Sequence, residues 1–274
     1  MPLNQPIASL RGRTVWVVGG SAGIGMALAQ QALAQGARLI VSGRRAQALA
    51  EAFPSEAVRF EAVRREVLDI TERGGAQRVL DGLAADGWLP DLVFWVAGDY
   101  KPQPIEDFQV EDARQVIETN LLACYDGLRA LLNHWLPLAP VRAAHAGLPR
   151  FHVCWFSSVA GYRGLPLALS YSASKAGLNA MAETSFMELK PKGIDVSLVC
   201  PGFVKTRLTD GNDFKMPALI SIDEAAEQTL RGLARGEFEI HYPKRFTWFM
   251  KVLRVLPHGL FFWLMGKTRR PHQD

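Results

Sequence analysis

Thr14-Val15-Trp16-Val17-Val18-Gly19-Gly20-Ser21-Ala22-Gly23-Ile24-Gly25 is the stretch whose reading decides the fold. Thr14–Val18 is a β-branched, apolar run of strand type, and an Ala/Leu-rich helical stretch follows at 23–35. Between them lie glycines at G-x-x-x-G-x-G spacing. Such a turn needs positive φ, and its backbone must approach a pyrophosphate with no Cβ in the way. The helix start then offers free N–H groups and a positive dipole end. Glycine clusters also make plain turns, but the position between strand and helix favours a phosphate loop.

The same alternation continues outward. Strand-like runs fall at 38–42, 91–97, 151–156, 195–200 and 239–242, with helical patterns at 47–52, 73–84, 112–135, 171–189 and 222–235. A third strand lies within 58–68, where AVRF and AVRREV compete. The Ala/Pro/His-rich stretch 137–149 reads as a surface loop. Strands alternating with helices specify an α/β fold. We expect a single-domain Rossmann-type, doubly wound parallel sheet of about seven strands with helices on both faces.

The chain has 274 residues, 49% hydrophobic and 21% charged, enough for one large core and against wholesale disorder. Its formal charge of +4 is mild and does not call for nucleic acid. Cys124, Cys154 and Cys200 are too widely spaced for a zinc cluster, so no metal site is expected, and unpaired cysteines fit a reducing compartment. The start has no secretory signal, and no run reaches the roughly 18 apolar residues of a membrane span. A cytoplasmic protein is expected, peripheral on the inner membrane surface if its tail binds lipid.

The second strand ends Val41-Ser42-Gly43-Arg44-Arg45, without the carboxylate that holds a ribose 2′-hydroxyl in NAD sites. Arg44 or Arg45 could instead pair with a 2′-phosphate, for which a guanidinium is well shaped; both could also be solvated helix-start residues. NADP(H) is therefore expected in preference to NAD(H).

Tyr171 and Lys175 form Y-x-x-x-K on one helix face, and Ser158 ends the fifth strand at the carboxyl edge where such sheets bind ligands. A free tyrosine, with a pKa of about 10, is poorly matched to neutral proton transfer. A neighbouring ammonium and a positive nicotinamide would lower it. Ser158 can donate to a carbonyl oxygen as hydride reaches its carbon. A Y-x-x-x-K pair alone is common; its order after the glycine turn and the strand-end serine gives it weight.

On these residues the chain resembles the short-chain dehydrogenases/reductases over about 12–243. The resemblance places the glycine motif on Gly19, Gly23 and Gly25, with Ser21 and Ile24 in the same turn, and an adenine-contacting acid on Asp69. It places the family's asparagine, serine, tyrosine and lysine on Asn120, Ser158, Tyr171 and Lys175, the last two also touching cofactor. Ala97-Gly98 keeps the second half of the family's Asn-Asn-Ala-Gly. Pro201-Gly202 lies at the nicotinamide-side turn, and Thr206 at the carboxamide contact. Val18 replaces the usual threonine, and Trp95-Val96 the two asparagines. Asp69 could instead cap a helix near Thr71, Asn120 could be an ordinary polar residue, and Pro201-Gly202 a strand terminator.

The resemblance implies an oxidoreductase moving hydride between a nicotinamide and a small-molecule ketone or secondary alcohol, and a lipophilic one is expected. It also implies a homodimer or homotetramer. Two rivals are a catalytically silent cofactor-binding sensor or scaffold, and a methyltransferase. The filled set Asn120, Ser158, Tyr171, Lys175 argues against the first, and the second has no need of Y-x-x-x-K.

Beyond the catalytic domain, 1–243, comes a tail, 244–274, bearing Lys244, Arg245, Lys251, Arg254, Lys267, Arg269 and Arg270. With Trp248, Phe249, Phe261, Phe262 and Trp263, it suits the surface of an anionic membrane. Equally, it could be an arm docked over the pocket or on a partner subunit. Pro257 should break it into two helices.

Overall fold

The computed structural model describes residues 2–54, 62–145, 147–209 and 216–266. Its strands are β1 (Thr14–Val18), β2 (Arg38–Gly43), β3 (Val63–Val67), β4 (Leu92–Trp95), β5 (Phe151–Phe156), β6 (Ile194–Pro201) and β7 (Glu239–Tyr242). They form one parallel sheet in the order β3-β2-β1-β4-β5-β6-β7. Every residue of β1, β4, β5 and β6 is buried, as expected of parallel strands covered on both faces. The AVRREV alternative thus supplies β3, while AVRF lies outside the described residues.

Helices α1 (Gly23–Ala34), α2 (Ala46–Ala52) and α7 (Ile222–Ala234) cover one face, over a core of Val15, Val17, Leu39, Val41 and Phe94. Helices α3 (Gly75–Ala85), α4 (Val110–Ile117), α5 (Ala123–Ala144) and α6 (Leu169–Leu189) cover the other, over Trp16, Trp95 and Trp155. The chain leaves β1 toward β2 on one side and returns through β4 on the other. The crevice at the carboxyl ends of β1 and β4 is therefore the topological switch point.

Two sequence expectations change. The helix expected at 112–135 is α4 and α5 joined by a π-helical turn, Glu118–Leu122. The loop expected at 137–149 is helical as far as Ala144, with Pro137 and Pro140 inside α5. Proline removes a backbone donor and normally ends a helix. Burial overrides that here. Trp135 stacks on Phe151 at 4.9 Å and donates Nε1–H to the Pro90 carbonyl (3.0 Å), while Ala139 is fully buried.

The tail forms α8 (Lys244–Val255) and α9 (His258–Gly266), separated at Pro257 as expected. Met250, Leu253 and Phe261 join the core on the α5/α6 face. No helix among the described residues is long and apolar enough to cross a membrane.

Candidate active site

The glycine turn fits tightly against the strand ends. A Cβ on Gly19, which has φ +92°, would lie 2.7 Å from the Ala97 backbone nitrogen, and one on Gly25 would lie 2.2 Å from the Gly19 carbonyl oxygen. Neither position admits a side chain. Gly23 has φ +58° and faces Thr206, whose Cγ2 would be 3.5 Å from an added Cβ. Helix α1 starts without a side-chain cap, which leaves its first-turn N–H groups for an anion. The departures from the family pattern are bridged by backbone: the Val18 carbonyl accepts from both Val96 and Ala97 N–H at 2.9 Å. Trp95 fills the space of the lost asparagine, and Gly127 of α5 makes room for it, since a Cβ there would meet the indole at 2.2 Å.

Beside the turn is an open groove of about 590 Å³ lined by Ser21, Met26, Arg45, Gln47, Glu51 and Arg207. Arg44 is exposed at the end of β2 and acts electrostatically on Asp69. Asp69 does not cap a helix, because α3 begins only at Gly75; it closes a local turn through Thr71 Oγ1 (2.7 Å) and N–H (3.0 Å). The Thr71 hydroxyl, and less strongly its N–H and Arg44, hold the Asp69 carboxyl below its ordinary range against the opposing effect of burial. Arg207 escaped the sequence reading. Its adjacency to Thr206 was the available signal.

Asn120, Ser158, Tyr171 and Lys175 converge at the carboxyl ends of β4 and β5. The π-helical turn carries Asn120 inward, fully buried. Its Oδ1 accepts from Asp99 N–H (2.7 Å), and its Nδ2 donates to the Asp99 carbonyl (2.8 Å) and to Ser174 Oγ (3.1 Å). Ser174 Oγ in turn donates to the Tyr171 carbonyl at 2.8 Å. Ser158 caps the turn after β5, its Oγ accepting from Ala160 N–H at 3.1 Å. Neighbouring Ser157, which the sequence reading passed over, donates to Asn179 Oδ1 (2.5 Å), while Asn179 donates to the Gly161 carbonyl (3.1 Å). This pins the Ser158 loop to α6. Pro201 ends β6, and Gly202 N–H donates to the Tyr242 carbonyl at 2.7 Å, so this turn is fixed to β7.

Lys175 is buried and donates Nζ to the Phe156 carbonyl at 2.8 Å, with Nζ 5.7 Å from the Tyr171 ring centre. Burial pushes its pKa down to about 8 and that of Tyr171 up to about 12, the latter partly offset by a hydrogen bond from Ser158. The expected lowering of Tyr171 by Lys175 is thus absent from this arrangement. The ammonium points at a carbonyl, and desolvation of the phenolate dominates. Tyr100, also missed, packs against Tyr171. A Cβ on Gly98 would lie 3.2 Å from Asn120 Oδ1 and 3.5 Å from Lys175 Nζ, so this glycine keeps open the floor between them.

Comparison with known proteins agrees with this architecture. The family described as short chain dehydrogenase matches residues 13–215. An uncharacterized oxidoreductase of Myxococcus xanthus is 33% identical over 258 residues, covering 93% of this chain and 97% of that protein. The NADP-dependent (R)-specific alcohol dehydrogenase of Lentilactobacillus kefiri is 28% identical over 203 residues, 73% of this chain and 77% of that one. A short chain dehydrogenase from Burkholderia cenocepacia, solved in complex with NADP, superposes with a TM-score of 0.78 at 24% identity, covering 94% and 99% of the two chains. The chain belongs to the short-chain dehydrogenase/reductase family, NAD(P)-dependent oxidoreductases of alcohol and ketone groups.

Proposed function

We propose that this protein reduces a lipophilic ketone, or oxidises the matching secondary alcohol, with Tyr171 as the proton-transfer group. The observation that carries the reading is the convergence of Asn120, Ser158, Tyr171 and Lys175 beside a glycine turn whose Gly19 and Gly25 leave no room for a Cβ. A nicotinamide held beside this glycine turn would supply hydride to the substrate carbon in reduction and accept it in oxidation. Ser158 Oγ donates to the carbonyl oxygen, where negative charge develops. Tyr171 Oη gives that oxygen its proton during reduction and takes it back during oxidation. Asn120 positions Tyr171 through Ser174, and the Lys175 ammonium, 5.7 Å from the Tyr171 ring centre, would favour the phenolate while exchanging its carbonyl partner for a ribose hydroxyl.

Gly19, Ser21, Gly23, Ile24 and Gly25 are assigned to the pyrophosphate, Asp69 to the adenine side, and Ala97, Gly98, Pro201, Gly202 and Thr206 to the nicotinamide half. NADP(H) is favoured over NAD(H) because Arg45 and Arg207 line a groove next to Ser21, with no carboxylate at the end of β2. A homo-oligomer is supported by the apolar groove between α5 and α6, lined by Tyr125, Leu128, Leu132 and Met181. The three buried, unpaired cysteines favour a cytoplasmic setting.

The test is kinetic. Tyr171→Phe should abolish reduction across a series of ketones while leaving NADPH binding nearly intact, and Arg45→Ala with Arg207→Ala should narrow the preference for NADPH over NADH. Substantial turnover by Tyr171→Phe would overturn the mechanism, and equal affinity of the unmodified protein for both cofactors would overturn the cofactor assignment.

A further inference from the structure

Helix α8 is apolar on two opposite faces. Its inner face buries Thr247, Met250 and Leu253, and Phe261 of α9 continues it beneath the Arg163 guanidinium, 4.1 Å from the ring centre. Its outer face presents Trp248, Phe249, Val252 and Val255, which are 59%, 55%, 55% and 78% exposed, and α9 adds Phe262 at 62%. A helix docked by one face ordinarily turns polar residues to water. Scattered exposed hydrophobics are unremarkable, but a continuous stripe of this kind marks a contact surface. Lys244 and Arg245 are exposed on α8, one turn before Trp248 and Phe249, Arg254 lies on its other side over the Tyr162 ring, and residues 244–266 contain no Asp or Glu. Lys251 is paired with Glu239 at 2.7 Å, and Lys244 reaches Glu237 only at 4.0 Å.

We propose that α8 and α9 lay this outer face on an anionic lipid bilayer, with the aromatic rings at headgroup depth and the basic side chains on lipid phosphates. Attraction between basic residues and acidic headgroups brings the helices to the surface, and burial of the rings then holds them there. A second copy of this chain fits the surface less well. A two-fold contact across it would bring Lys244 and Arg245 of one protomer toward those of the other, with no carboxylate in the segment to pair them.

The bilayer would then lie beside the walls of the site. Phe246 of α8 packs on Phe203, with ring centres 5.4 Å apart, and would be 2.7 Å from a Cβ on Gly202. Arg163, in the loop that follows Ser158, grips the end of the same helix. A carbonyl compound dissolved in lipid could therefore reach the site along the tail. That route rests on the oxidoreductase reading, whereas the surface itself does not.

The experiment is co-sedimentation of the full-length chain with phosphatidylcholine vesicles, with and without phosphatidylglycerol, followed by oligomer size by light scattering. Expected is binding to the anionic vesicles that falls as salt rises. Lys244→Ala and Arg245→Ala should each weaken it by about fivefold at low ionic strength. Trp248→Ser with Phe249→Ser and Phe262→Ser should abolish it while leaving the circular dichroism spectrum unchanged, because all three rings are outside the core. The proposal is overturned by a full-length chain that stays in solution with anionic vesicles, by aromatic variants that bind as well as the native chain, or by an oligomer that these variants split. Vesicle binding by a Tyr171→Phe protein, inactive but still sedimenting, would support the surface independently of the reaction.

Discussion

The Tyr100 ring meets the Tyr171 ring edge-on, centroids 4.8 Å apart and planes at 63°. Asn120 arranges the meeting, because its side-chain amide makes two hydrogen bonds to the backbone of Asp99, the residue before Tyr100. A buried amide on the π-helical turn thus sets the ring that covers the proposed proton donor. Asn120 acts on Tyr171 from two directions: through this ring and through Ser174.

Removing that cover should change both affinity and proton transfer. Tyr100→Ala forfeits an aromatic contact of about 1 kcal/mol and admits water to the phenol, so substrate KM should rise by up to about tenfold. Burial is the main cause of the raised Tyr171 pKa, so its relief should shift the rising limb of alcohol oxidation to lower pH. Tyr100→Phe should restore both properties. A pH profile of kcat/KM that does not move in Tyr100→Ala would show that Tyr100 does not shield Tyr171.

Arg163 should matter more than its partial exposure implies. Its guanidinium donates to the carbonyls of Leu253 (2.9 Å), Arg254 (3.2 Å) and Leu256 (2.6 Å), and it stacks over Phe261. These carbonyls are the unsatisfied acceptors at the end of α8, where a cation is also favoured by the helix dipole. Arg163→Ala should cost on the order of 2 kcal/mol in urea unfolding and raise substrate KM by loosening the loop after Ser158. Arg163→Lys should recover only part, since an ammonium lacks the planar face that stacks over Phe261. Native-like stability in Arg163→Ala would contradict this account of how the tail is held.

Acid should destabilise the fold through two buried histidines. Burial pushes His152 and His241 down to about 4. The unfolded chain, with histidine near 6.5, binds more protons between those values, so stability falls as pH drops from about 6.5 toward 4 and is insensitive to these groups above. For His152, fully enclosed and bonded to Ser197 Oγ at 2.9 Å, the loss should be on the order of 3 kcal/mol. Urea midpoints measured at pH 7.5 and 4.5 test this, and His152→Gln should flatten part of the difference. Equal midpoints for the native protein at both values would exclude it.

Much of this was legible in the chain because it depends on local chemistry. Gly19, Gly23 and Gly25 announce themselves since only glycine fits, and Tyr171 with Lys175 share a helix face by spacing alone. What stayed hidden depends on partners distant in sequence. Pro137 and Pro140 look like helix breakers until Trp135 is seen stacked on Phe151. Tyr100 looks like a loop residue until Asn120 is seen to grip the segment. The opposing pKa shifts of Tyr171 and Lys175 arise from enclosure, which no motif encodes. The tail read ambiguously as membrane contact or docking arm because α8 and α9 carry apolar residues all round. The structure assigns the inner set to docking.

Trp95, where the resemblance to the family calls for an asparagine, gives the core an optical character. Trp16 and Trp155 flank it at 6.1 and 5.6 Å, so the three indoles form a short file beneath the strand ends from which the glycine turn departs. Rings this close exchange excitation readily, and indoles in apolar surroundings emit in the near ultraviolet, where a dihydronicotinamide absorbs and its oxidised form does not. Light taken up anywhere along the file can drain to a reduced dinucleotide bound at the switch point. Trp95, the middle member of the file, would thereby couple the emission of the core to the redox state of a bound coenzyme.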